Sequence, residues 1–364
     1  MIRKPRPHPP MLPPKRRPRN PTARRRTVQT ASRVRPRTAS RPTVRRMVSP
    51  AASAEDGDFY GMNAALLATN GATVTIKNAT VNSSAQNGNG VFSYGSGTTV
   101  NISDSTITTS ADNSGGIQTT GGGTTNAENL TVTTSGNSSA AIRSDRGGGT
   151  VNVTGGSYTS NGYNSPAVYS TAAITVKNAK LTANNSELLV IEGKNSIALE
   201  NCTVSGNMSS TKGSGSSENV HTVMIYQSMS GDADVGTSEF SMTGGSLIGK
   251  NGDLFYITNT HCILTLSGVT LKKEDPDGYL LRVVGNFASH GWGTAGSNGA
   301  QVEFTADAQT LEGNILVDTI STLDRLAHIT QLLGCDLKNP DFCLTLGILL
   351  RAELQQKRIA QPRT

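Results

Sequence analysis

Between residues of about 62 and 320, the apolar positions of this chain fall into one phrase that recurs. It runs apolar, any residue, then Asn, Asp or Gly, any residue, usually a small polar residue or Lys, then apolar. Ile76-Lys77-Asn78-Ala79-Thr80-Val81, Ile102-Ser103-Asp104-Ser105-Thr106-Ile107 and Ala127-Glu128-Asn129-Leu130-Thr131-Val132 are copies. Further copies carry Gly155, Asn178, Asn201, Gly244 and Gly268 in the third place, eight in all. Their starts are about 26, 25, 26, 23, 23, 43 and 24 residues apart, and a degenerate copy follows 38 residues later at Phe304. A period in the twenties that repeats this often marks a solenoid. The restricted third place has a steric reason: Asn, Asp and Gly tolerate the left-handed αL backbone that a sharp bend between two strands requires.

A second apolar phrase follows the first at an offset of about 15 residues, at Val91-Phe92, Ile117, Ile142, Val168, Val190, Phe255 and Leu281. Alternation within the short runs, as in Val74-Thr75-Ile76 and Val151-Asn152-Val153, sends one set of side chains inward and the other outward. Only Pro166 and Pro276 interrupt the region, as stacked strands that need their N–H donors require. These features predict an all-β fold, a right-handed parallel β-helix of about nine coils over 62–320. At ~4.8 Å per strand that is a rod of roughly 45 Å. The 35% apolar and 4% aromatic content fits such a scaffold of small β-branched residues better than a compact globule.

The flanks differ. Residues 1–54 hold most prolines and 16 Lys and Arg between Arg3 and Arg46, with no acid before Glu55. The total of +7 therefore leaves about −9 for the remainder. This arm cannot bury enough apolar surface to offset its ordering entropy, so it is expected to be disordered or polyproline-like, and it reads as a polyanion-binding arm, an organelle transit peptide or a non-native extension. Residues 323–364 break the coil pattern. Leu323 to Ile329 and Leu344 to Leu354 have helical spacing, which predicts a short helical segment, either a cap over the last coil or non-native sequence. No apolar run reaches the ~20 residues of a membrane span, and no secretory h-region is visible.

Cys202, Cys262, Cys335 and Cys343 form no metal-ligand or disulfide pattern, and Cys202 and Cys262 read as small buried thiols within the repeats. No cofactor or metal is implied. His221 and His261 stand near strand starts and read as surface or satisfied ladder residues. The acids of the repeat vary from coil to coil and fit turn roles, and Arg143, Asp145 and Arg146 read as a turn ion pair. Two insertions, Ser228 to Ser238 and Asn286 to Gly299, follow the second phrase and should leave the solenoid at one corner, about two coils apart. Loops on a rigid scaffold carry most binding function, so Asp232 and Asp234 on one and His290 and Trp292 on the other are the candidate ligand-binding residues. Trp292, the only Trp, either stacks on a sugar ring or lies partly buried in a loop tucked onto the coil surface.

Thr73 to Ala79, Gly149 to Val153 and Gln309-Thr310-Leu311-Glu312-Gly313 resemble the adhesin-like right-handed β-helix proteins of bacterial, often gut, cell surfaces, which share the pectate-lyase-like fold. The resemblance implies an extracellular or cell-surface module, without a catalytic residue, that presents loops to carbohydrate or to a cell-surface protein. The alternative is a polysaccharide lyase or glycoside hydrolase with an atypical groove site at the insertions. Against it, the chain has no Asp-Asp step and no Arg-Ile-Lys.

Overall fold

The computed structural model describes residues 53–209, 219–286 and 292–333, with side chains described as far as 324. Its strands stack into three wholly parallel sheets, each built from one strand per coil. The first sheet has ten strands, from Leu66–Ala68 to Ile315–Val317. The second has ten, from Thr73–Lys77 to Thr322–Leu333, and the third has eight, from Thr80–Ser83 to Thr270–Lys273. The parallel β-helix is thus present, with one rung more than the repeat count suggests.

The bend between second and third sheets lies where the restricted place of the phrase puts it. Asn78, Asp104, Asn129, Asn178 and Asn201 have φ of 54°, 49°, 52°, 54° and 52°, and Gly155, Gly244 and Gly268 have 67°, 62° and 60°. Their N–H groups run up the rod in one ladder: Asn78 donates to Ser103, Asp104 to Glu128, Asn129 to Thr154, Gly155 to Lys177 and Asn178 to Glu200. The degenerate copy starts two residues later than Phe304: Ala306 aligns with Leu266, and the bend falls at Ala308, which takes φ 48° although it is neither Asn, Asp nor Gly.

A second column of αL residues, Asn87, Asn113, Ser138 and Asn164, turns the corner into the first sheet. Beside it runs a buried serine ladder. Ser114, Ser139 and Ser165 accept through Oγ from the N–H of Gly88, Ser114 and Ser139, at 3.0, 2.9 and 2.9 Å. The sequence reading missed this corner, because Asn and Ser are too common in the chain to stand out.

Inward side chains stack in columns of like residues. In the third sheet Val81, Ile107, Val132, Tyr158, Leu181, Val204 and Leu247 follow one another in register, and all are buried. Each contributes roughly 1.5–3 kcal/mol through burial, so a rung needs only a few such residues to hold. Cys202 and Cys262 are buried and free, as read from the repeat.

Two expectations are corrected. The first-sheet phrase at Val190 is one residue late: Leu189 aligns with Val168, and Val190 aligns with Tyr169 on the outer face. Leu323 does not open a helix. The segment Thr322–Leu333 is a strand in register with Gln301, Val302 and Glu303, and Leu323 is buried below Val302. Pairing to an open sheet edge outweighs local helical spacing there. Residues 334–364 and all of the arm but Ser53 and Ala54 lie outside the described residues.

Candidate functional site

The outer face of the first sheet carries the chemistry. One outward column reads Phe92, Gln118, Arg143, Tyr169, Val190, Met224, Tyr256 and Arg282, rung by rung. Continuing the register from Arg143 and Tyr169 places Asp145, Thr171, Glu192 and Tyr226 in the column beside it. This face is aromatic and charged, whereas the outer faces of the other sheets carry mainly Thr, Ser, Asn and Lys.

Three segments fold over it. The helix Ala54–Asp58, capped by Ser53 Oγ on the Asp56 N–H, begins a stretch that covers the first rungs. There Gln118 donates to the Asp58 carbonyl at 2.7 Å and Thr120 to the Phe59 carbonyl at 2.8 Å. Gly61, at φ 69°, lies against the Phe92 ring, where an added Cβ would come within 2.5 Å of a ring carbon. The insertion after His221–Tyr226 reaches back to the same place, because Asp232 accepts from Arg146 Nε at 2.5 Å. Arg146 also donates to Glu55 at 3.1 Å and lies 3.8 Å above the Phe59 ring, so it staples insertion and N-terminal segment together.

Of the two readings of the insertion after Leu281–Val283, an exposed platform or a loop tucked onto the coil, the structure shows the tuck. Trp292 is only 8% exposed, its ring 4.7 Å from that of Tyr226, in a cluster with Val190, Met224 and Tyr256. Those outward residues are apolar, so the insertion folds down and buries them. Asn298 closes the loop by donating to the carbonyls of Asn286 and Trp292 at 2.8 and 3.1 Å. Trp292 therefore presents no open face. Of the other predicted residues, Asp232 reaches the groove, Asp234 is exposed beside it and uses its carbonyl to accept from Lys194 N–H at 2.8 Å, and His290 lies outside the described residues. Both insertions do leave at the first-to-second sheet corner, two rungs apart.

Between these covers lies a groove of about 330 Å³, lined by Phe59, Asn113, Ser138, Asn164, Arg143, Asp145, Tyr169 and Asp232. Asn113, Ser138 and Asn164 form one wall, one residue per rung. Arg143 holds Asp145 through Nε and Nη2, both at 2.7 Å from Oδ2. Burial pushes the Asp145 carboxyl up to about 6, against the opposing pull of Arg143. Burial likewise raises Asp58, opposed by Arg143 and Asn87. Glu192, 2% exposed, accepts from the hydroxyls of Tyr169, Tyr226, Ser228 and Ser230. The ion pair of Arg143 and Asp145 thus stands at the head of the turn, where the Asp145 carbonyl accepts from the Gly148 N–H at 3.2 Å, and also lines the groove. Tyr169, Glu192 and Tyr226 were missed; their only sequence signal is polar or aromatic residues next to the inward phrase.

The two histidines are ladder residues of different kinds. His221 is fully buried, stacked on Tyr256 at 4.9 Å, with Nδ1 3.0 Å from the Asn219 carbonyl. Burial would raise its neighbour Glu187, but bonds from His221, Ser186 and its own backbone N–H outweigh it and hold the carboxyl down at about 2. His261 is half-buried and bridges Thr237 and Glu303 at 3.1 and 3.3 Å. Among the described residues no group of three or more His, Cys, Asp or Glu is placed to hold a metal ion, and no helix is long and apolar enough to cross a membrane.

Comparison with protein-family models, with curated proteins and with solved structures gives no match for this chain.

Proposed function

We propose that this chain is a non-catalytic β-helical surface module of the adhesin-like kind, which holds a neutral oligosaccharide in the groove over Arg143 and Tyr169. The observation that supports it most is that the groove's acids are already held by donors of the fold. Asp145 is engaged by Arg143, Asp232 by Arg146, and Glu192 by four hydroxyls. Such a site is polar and preorganised, yet its acids are committed to structure, which suits recognition better than proton transfer. The amides and hydroxyl of Asn113, Ser138 and Asn164 repeat at about 4.8 Å, a spacing suited to a ligand that repeats its own hydroxyls. The cell-surface setting rests on the resemblance of the repeats.

The test is a glycan array probed with the full chain and with Phe59→Ala, which removes one wall of the groove. Binding weakened about tenfold or more in the variant, with thermal stability kept, supports the reading. Undiminished binding places the contact elsewhere and overturns it.

Hydrolysis of a glycosidic bond is a second reading, favoured by one observation. Asp145, with its carboxyl near 6, stands two rungs from Glu192 in the same column, or about 10 Å between backbones. That is close to the carboxyl separation of inverting glycosidases. New reducing ends released from array-positive glycans, and lost in Asp145→Asn, would replace the first reading with this one.

A further inference from the structure

The third sheet stops two rungs before the others. Its last strand, Thr270–Lys273, pairs with Ser246–Gly249, and among the described residues no strand pairs with its other edge. At the bend just before it a side chain replaces the peptide ladder. Gln309 Oε1 accepts from the Val269 N–H at 2.9 Å, and Gln309 Nε2 donates to the Val269 carbonyl at 2.6 Å. From there the next coil runs wide, leaving an open groove of about 980 Å³ between Thr270–Lys273 and the stretch from Thr310 to Asn314.

The groove has the chemistry of a missing strand. The N–H groups of Thr270 and Glu274 donate backwards, to the carbonyls of Gly245 and Gly249 at 2.9 and 2.8 Å. The alternation of a parallel ladder therefore aims the N–H groups of Leu271 and Lys273 into the groove. The lining is mixed: Leu271 is half-buried over the buried Val269 and Leu280, and Lys272, Lys273, Glu274 and Glu312 stand along the sides. A strand residue fills a cell of about 3.3 by 4.8 by 10 Å, so the groove has room for about six.

We propose that this slot docks one extended segment of a partner polypeptide, added as a strand to the third sheet with every second side chain apolar and turned to Leu271 and Leu280. Backbone donors at strand spacing beside the half-buried Leu271 recognise a peptide rather than a saccharide. The occupant is a single strand and not the end of a second solenoid. The rungs from Gln301 to Leu333 extend past the slot, and the first third-sheet strand of another copy, Thr80–Ser83, is built into a full coil that would collide with them.

The probe is a synthetic peptide with the sequence of residues 178–184, Asn-Ala-Lys-Leu-Thr-Ala-Asn, which sits as one rung of the third sheet. Hydrogen exchange is followed in the full chain with and without it. The expected result is exchange slowed at least tenfold at Leu271 and Lys273, with Thr270 and Lys272 unchanged. Of two analogues N-methylated on opposite edges, at least one should lose the effect. Lys273→Pro, which removes a groove-facing donor and keeps the backward bonds, should weaken binding about tenfold; the N-methylated analogues carry the test should that variant not fold. No binding, or binding that leaves Leu271 and Lys273 unprotected, overturns the proposal. So does protection of both amides before any peptide is added, which would mean that the chain fills the slot itself.

Discussion

At the scale of the residue, the fold is decided by which side chains tolerate αL. All eight bends between the second and third sheets carry Asn, Asp or Gly, and the equivalent position of the next rung, within the strand Gln301–Glu312, carries Ala308 at φ 48°. An alanine there is strained by about 1–2 kcal/mol, because its Cβ crowds the carbonyl that follows. Ala308→Gly should therefore stabilise the chain by about 1 kcal/mol, part of the gain being offset by the greater freedom of glycine when unfolded. Chemical denaturation measures it, and an unchanged or lowered midpoint would show that the last bend is not strained. The same chemistry explains what was legible. The column through Asn78, Asp104 and Asn129 stands out because an apolar residue flanks each bend at a fixed distance. The column through Asn87, Asn113, Ser138 and Asn164 is flanked on one side only, by Val91, Ile117, Ile142 and Val168 four places on, and its buried serines, one place past the bend, carry no apolar signal.

At the scale of the element, the site arises where the N-terminal segment and one insertion meet on the first sheet. Sequence spacing located both insertions but not their direction, since direction depends on which outward residues lie beneath. Val190, Met224 and Tyr256 draw the Trp292 loop down, while Arg143 and Arg146 draw the acids in. The price of that polar junction is a buried acid, Asp145, whose carboxyl burial raises from 3.8 to about 6. The folded state then holds this proton more tightly than the unfolded chain. The stability that this group contributes is greatest below about 3.8 and falls as pH rises to about 6, by roughly 3 kcal/mol at about 1.4 kcal/mol per pH unit. Asp145→Asn removes the titration. The difference in unfolding free energy between parent and variant should change by about that amount between pH 4 and 7, to the parent's disadvantage at the higher pH. Parallel stability curves for the two proteins would rule the shift out.

At the scale of the whole molecule, the repeat makes stability local. Within the sheets each rung pairs only with its neighbours, so opening an inner rung breaks two ladders and opening a terminal one breaks one. The ends are also unlike. The first rungs lie under the segment around Ala54–Asp58, held by Gln118, Thr120 and Arg146, whereas among the described residues no strand pairs with the last edge of the third sheet, Thr270–Lys273. Leu181 is fully buried in a middle rung and Leu271 half-buried in the last one of that sheet. Leu181→Ala should cost about 2–5 kcal/mol, and Leu271→Ala less than half as much, because its cavity opens to water. Native-state hydrogen exchange in the parent should show the same gradient, with slowest exchange near Leu181 and Val204 and fastest at Leu271 and Lys273, unchanged in order as urea is added below the transition. Uniform protection along the third sheet would mean that the rungs open only together, and the nearest-neighbour account of this rod would fail.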